Sequence, residues 1–438
     1  MSAEVRGLFR ERARSARVST SSSVPAQPLG RAPMPHEFWQ GTNLPRVGGF
    51  NRAVVLDTIR AHGEVSRVEL AERTGLTAQT MSNIVRALMA DGLVAENGHA
   101  PSTGGKRRVL LRVVPDAYSS VGLHLDPESI TGVLLDLAGG VRLRSRRRVP
   151  QDASPATVAA ALTRTLKQLV RRSGIDESRV LGVGLAVPGP LDADHRRVLG
   201  PPNLPGWDDV ALADLVEQRA GMPVVMDNDA TAAAIGERWA AGKARRGSFV
   251  YVYLGAGVGV GVVLGDQVHR GTSNNAGEIG HVNGGGAGRP CSCGKRGCLE
   301  AYCSMRAIVD EWLSATGSPE GDSVSADYEE ICRAAAGGDA TAVRLLRQAA
   351  TKLGQALATV VSVLDVDHVV LGGPALRHVE ELVRSRVEKT LAAHVWAPAV
   401  RPVRVRTALI GEDAGAVGAA SLVLDHAYSP RLATLLGS

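Results

Sequence analysis

The stretch GEIGHVNGGGAGRPCSCGKRGCLE, residues 277–300, restricts what this chain can fold into more than any other segment. Only five cysteines occur in 438 residues, yet Cys291, Cys293 and Cys298 fall within eight positions, just downstream of His281. One imidazole and three thiolates form the Cys₃His set that suits tetrahedral zinc, and the glycine-rich spacers GGGAGRP and GKRG let a short backbone wrap one ion. Protein would fill all four positions and leave none open for water, so the expected metal is structural. Ordinary buried thiols rarely cluster this tightly. Cys303 and Cys332 lie outside the pattern and read as small core residues.

Charge divides the chain. Residues 1–48 carry seven Arg against three Glu, residues 49–118 carry nine Lys or Arg against seven acids, and the excess over the remainder is zero. The net charge of +6 therefore belongs to the N-terminal third, as expected of a polyanion-binding segment on a neutral body. Residues 1–48 mix Arg, Ser and Pro without an apolar period and predict a disordered basic arm, either a tail without a role or a non-specific phosphate contact.

Residues 49–114 predict a winged helix-turn-helix. Val55, Leu56 and Ile59 share one face of a first helix that stops at Gly63. Ser66 with Glu69 forms a capping box for a second, which Gly75 ends. Thr77 caps a third, in which Met81, Ile84, Val85, Leu88 and Met89 form an apolar stripe. Its opposite side carries Gln79, Thr80, Ser82, Asn83 and Arg86, side chains that suit base edges and phosphates in a major groove. The run GLVAENGHAPSTGGKRRVLLRV reads as a hairpin wing with Lys106, Arg107 and Arg108 facing the DNA backbone. A small helical protein-interaction module is the competing reading, and it leaves the polar face and basic wing unexplained.

Residues 115–438 alternate strand-like and helix-like runs, an α/β body large enough for two lobes. There is no apolar run of eighteen residues, and the N-terminus lacks the apolar core of a signal peptide, so a soluble cytoplasmic protein with no membrane partner is expected.

GEIGH at 277–281, CSCGKRGCLE at 291–300, VPGPLD at 187–192, PPNLPGW at 201–207, DNDA at 227–230 and LGG at 371–373 together resemble the ROK family of repressors and sugar kinases. The resemblance implies an actin-like ATPase (ribonuclease H-like) two-lobed body, and the winged helix places the chain in the repressor branch. It also implies that Asn228, Asp229, Glu278, His281 and Glu300 hold a hexose or hexose derivative, with His281 shared between sugar and zinc. Carboxylates, an amide and an imidazole are strong partners for hydroxyl groups. In the kinases the aspartate matching Asp229 is the general base.

Phosphate handling departs from the kinase pattern Asp-x-Gly-Gly-Thr-Lys. This chain has His124 for the aspartate, Asp126 and Pro127 for the glycines, then Glu128 and Ser129. An imino acid without an N–H and two carboxylates do not suit a triphosphate, so ATP and magnesium are not expected. The second Gly-rich turn, GAGVGVG at 255–261, survives with Ala256 where the kinases usually have Thr. Asp229 is thus either a retained base or a sugar acceptor in a sensor. The expected function is a repressor of sugar-related genes, a homodimer or homotetramer on double-stranded operator DNA, released by a sugar. The alternatives are an active ATP-dependent sugar kinase with an accessory DNA-binding domain, and a scaffold for a protein partner.

Overall fold

The computed structural model describes residues 44–101, 107–192, 196–242, 247–285 and 288–429. Most of the arm expected at 1–48, and Lys106 at the wing, lie outside the described residues. Helix α1 (Leu44–His62) begins ahead of position 49. Strand β1 (Val65–Ser66), helices α2 (Arg67–Thr74) and α3 (Ala78–Ala90), and strands β2 (Val94–His99) and β3 (Val109–Val113) complete the first unit. The local chemistry dictates each boundary. Ser66 and Glu69 exchange side-chain and backbone hydrogen bonds as a capping box, and the N–H of left-handed Gly75 closes α2 on Ala71 O. Thr77 caps α3, whose buried residues Met81, Val85 and Leu88 pack on Val55, Leu56, Ile59 and Leu111. The three strands pair antiparallel in the order β1-β3-β2.

The first lobe contains β4 (Ser119–Leu125), β5 (Ser129–Asp136), β6 (Val141–Arg148), α4 (Pro155–Ser173), β7 (Val180–Val187), β8 (Leu191–Asp192), β9 (Arg197–Val198), α5 (Leu212–Ala220), β10 (Val224–Asn228) and α6 (Asp229–Ala241). The second contains β11 (Phe249–Leu254), β12 (Val258–Leu264), β13 (Gln267–His269), α7 (Glu300–Cys303), α8 (Met305–Thr316), α9 (Val324–Ala336), α10 (Ala340–Leu364), β14 (His368–Gly372), α11 (Glu380–His394) and β15 (Arg404–Thr407). Helix α12 (Ala414–Tyr428) then returns to the first lobe.

Both lobes follow one plan: a three-stranded antiparallel meander extended by two parallel strands. The orders are β10-β7-β4-β5-β6 and β13-β12-β11-β14-β15. Helices α6 and α12 pack against each other, α12 on the first sheet and α6 also on the second. Small residues permit this close approach. A side chain at Gly184 would meet Ala419 O of α12 at 1.8 Å, so the strand carries none there. The result is the actin-like, two-lobed α/β body preceded by a winged helix.

The winged helix is anchored on the body, not tethered beside it. Val55, Leu56 and Ile59 share one apolar cluster with Leu137, Trp239 and Leu422, and Tyr428 packs against it. Arg60 donates from Nη1 to Trp239 O at 3.0 Å, and its guanidinium lies 4.0 Å over the Trp239 ring.

Candidate functional site

The metal knot is built by tight turns. Gly294, at φ 83°, closes on Cys291 O, Cys291 N–H donates to Lys295 O, and Gly284 N–H to Gly297 O. This folding brings His281, Cys291, Cys293 and Cys298 together, with their ligand atoms all within 4.8 Å of one another. Cys293 and Cys298 sulfurs lie 3.7 Å apart, and Cys291 Sγ lies 3.8 Å from His281 Nδ1. A tetrahedron with metal–sulfur bonds of about 2.3 Å has edges of about 3.7 Å, so the donors fit zinc in both chemistry and spacing. Lys352 of α10 secures the loop, donating to Gly284 O at 2.9 Å with its ammonium 4.3 Å from the Tyr302 ring centre. Cys303 and Cys332 are core residues.

Beside the knot, at the junction of the lobes, is a cavity lined by all five residues of the expected sugar set, Asn228, Asp229, Glu278, His281 and Glu300. The end of β10 and the start of α6 supply Asn228 and Asp229. Asn228 caps α6 by accepting from Ala230 N at 2.9 Å. Arg270 holds the preceding Asp227 at 3.0 Å, fixing that strand end. Glu278 precedes and His281 ends a one-turn 3₁₀ helix, and Glu300 opens α7 and accepts from Val258 N at 3.2 Å. A side chain at Gly257 would stand 2.7 Å from the Glu300 carboxylate, so the Gly-rich turn makes room for that group. His281 turns Nδ1 to the knot while its ring also lines the cavity.

Among the described residues, the lining holds four carboxylates, Asp126, Asp229, Glu278 and Glu300, and neither Lys nor Arg. Burial drives the Asp229 carboxyl up to about 7, against the Ala230 N–H it accepts; Glu278, Asp126 and Glu300 add to the rise. Burial also raises Asp126 to about 6 and raises Glu278 above the usual carboxylate range.

The turn at residues 126–129 is satisfied by its own hydrogen bonds. Asp126 N–H donates to Ser129 O, and Asp126 accepts from Glu128 N at 3.2 Å. Glu128 crosses to the second lobe and accepts from Val324 N at 2.9 Å and Ser325 N at 3.2 Å, capping α9. His124 is buried with its ring 5.9 Å from Tyr253, and burial lowers its pKa to about 4. His124 is therefore a neutral imidazole near neutral pH.

On the winged helix, Gln79, Asn83 and Arg86 form an exposed stripe along α3, with Gln79 and Arg86 each donating to Asn83 Oδ1 at 3.3 Å. Thr80 is half-buried, its N–H and hydroxyl engaged with the Thr77 cap, and Ser82 is half-buried. Arg107 and Arg108 are exposed at the entry to β3. Sequence reasoning missed Asn203, Tyr253 and the paired Pro201 and Pro202 as cavity lining, and the crossing of Glu128. PPNLPGW, a proline-fixed loop around a lone amide, was the available signal for Asn203. Glu128 has no local signal, because its partners lie far along the chain.

The sequence profile of the ROK family matches residues 121–426, and that of the MarR family matches residues 49–108. The chain belongs to the ROK family. Among curated ROK relatives, the xylose repressor of Bacillus subtilis (strain 168) is 28% identical over 376 residues, covering 86% of this chain and 95% of that protein. Among solved structures, a ROK family glucokinase from Streptomyces griseus, in complex with glucose and AMPPNP, superposes with a TM-score of 0.62. It is 31% identical and covers 69% of this chain and 98% of its own. A ROK family transcriptional regulator, a homolog of the E. coli MLC protein, superposes with a TM-score of 0.71 at 23% identity, covering 90% of this chain and all of its own. That likeness gives the fold alone.

Proposed function

We propose that this ROK protein is a transcriptional repressor of sugar-related genes. Its winged helix holds double-stranded operator DNA, and its inter-lobe cavity binds a hexose or hexose derivative that releases the DNA. The observation that carries the reading is the pairing of a complete hydroxyl-binding set with a phosphate turn occupied by its own side chains. Asn228, Asp229, Glu278, His281 and Glu300 converge on one cavity, whereas Asp126, Pro127 and Glu128 stand where a triphosphate needs open backbone amides. Asp229 is then an acceptor for a sugar hydroxyl. Zinc held by His281, Cys291, Cys293 and Cys298 fixes the imidazole ring and the loop that carries Glu278.

Sugar entering between Asn228 and Asp229 on one lobe and Glu278, His281 and Glu300 on the other draws the lobes together. In a homodimer, closure changes the separation of the two winged helices, and operator affinity falls when that separation no longer matches the DNA turn. The name of the Bacillus relative supports a sugar as the signal. Retention of genomic fragments on the immobilised full chain, followed by elution with a panel of sugars, tests the reading; retention that no sugar reverses counts against it. The surviving turn at 255–261 and the likeness to a glucokinase favour a second reading, ATP-dependent sugar phosphorylation. Sustained ADP release with sugar and magnesium ATP, abolished by Asp229→Asn, would establish that one instead.

A further inference from the structure

The proposed sugar cavity adjoins a second hollow. Asn203, Ala256 and Glu300 line both the cavity at Asp229 and an adjoining groove of about 470 Å³ that runs along α8 beside the zinc loop. That volume lies within the range of small-molecule sites, roughly 300–1,000 Å³.

The groove's polar groups are held in place. Arg306 binds Asp310 at 2.9 Å and Glu320 at 2.8 Å. Arg289 is paired with Glu311 and lies 4.8 Å from the Tyr302 ring centre. Ser292 donates to Glu300 at 3.5 Å, linking the groove to the cavity, and Ser304 caps α8. Guanidinium and carboxylate groups alternate along the wall. It therefore offers donors and acceptors in similar measure with little net charge, which favours a neutral polyol over a phosphate or a cation. At the junction Ala256 projects only a methyl group, so the passage between Asn203 and Glu300 is unobstructed by a larger side chain.

We propose that the effector is a saccharide of at least two linked units: one bound at Asn228, Asp229, Glu278, His281 and Glu300, the next hydrogen-bonded to Arg306 and Asp310 in the groove. The inference rests on the sugar-sensing reading and adds the length of the ligand to it. The glycosidic link crosses over Ala256.

Calorimetry on the zinc-loaded full chain compares glucose and xylose with their dimers cellobiose, maltose and xylobiose. The expected result is that one dimer binds at least tenfold tighter than its own monomer. Arg306→Ala and Asp310→Ala, both on the exposed face of α8, should each cut that advantage about fivefold, and Ala256→Thr should lower the dimer-to-monomer ratio by narrowing the junction. Monomers that bind as tightly as every dimer, or a dimer advantage that none of the three variants changes, would overturn the extended subsite while leaving sugar sensing intact. Absence of binding by any of the five sugars would remove the sensing reading and this proposal together.

Discussion

Asp229 is buried among carboxylates, and its protonation connects stability to ligand binding. A carboxyl whose folded pKa lies above its unfolded value keeps a proton that the unfolded chain has released. Its contribution to stability therefore falls as pH rises from the ordinary 3.8 toward about 7. Asp229→Asn removes the ionisable group while retaining the oxygen that accepts from Ala230 N. The variant is expected to melt roughly 2 °C or more above the parent at pH 8 and close to it at pH 4, and to lose sugar binding. Calorimetric melting at the two pH values checks this. At the His281 and cysteine cluster, Cys293→Ser should abolish the zinc binding proposed there and weaken sugar binding at least tenfold, with operator affinity changed less; metal analysis and titration report both. That His281 and the three cysteines come together, and that five distant residues line one cavity, was legible because their spacings are short or fixed by motifs. Glu128 was not legible as the cap of α9. A cap between residues 128 and 324 depends on the lobes meeting, which no local pattern encodes.

At the scale of elements, the winged helix was readable almost residue by residue. Capping box, turn glycine and apolar stripe are local devices whose geometry follows from spacing alone. The exposed stripe of α3 makes Arg86 the first candidate for a base or phosphate contact. Arg86→Ala should weaken operator binding by about 1–3 kcal/mol, while Arg108→Ala should weaken specific and non-specific DNA alike and lower the salt slope by about 1. Anisotropy titrations at several salt concentrations separate the two. Helix α6 was not legible as a connector. Its first turn carries Asp229, and its last turn carries Trp239, on which Arg60 of the winged helix rests. Over thirteen residues it spans about 20 Å, so under the proposed mechanism a shift at the cavity would reach the winged helix through a rigid element. Arg60→Ala should leave operator and sugar affinities within about twofold of the parent and reduce the coupling between them. Measuring both affinities, each with and without the other ligand, is the check.

Across the whole molecule, two lobes of one plan enclose a cavity that gathers Asn228, Asp229, Glu278, His281 and Glu300. Among the described residues no helix is long and apolar enough to cross a membrane. The alternation of strands and helices announced the α/β body, but the matching order of the two sheets did not follow from it, because strand order is set by contacts between distant segments. Anchoring of the winged helix through Val55, Leu56 and Arg60 was likewise invisible until Trp239 and Leu422 were in place. If that anchoring couples the cavity to the winged helix, reciprocity must hold: a sugar that weakens DNA binding is itself bound less tightly on DNA. The most direct measurement is the affinity of the full chain for its operator with and without saturating sugar. The account predicts at least a tenfold loss, about 1.4 kcal/mol. An operator affinity unchanged by a sugar that demonstrably occupies the cavity would contradict it.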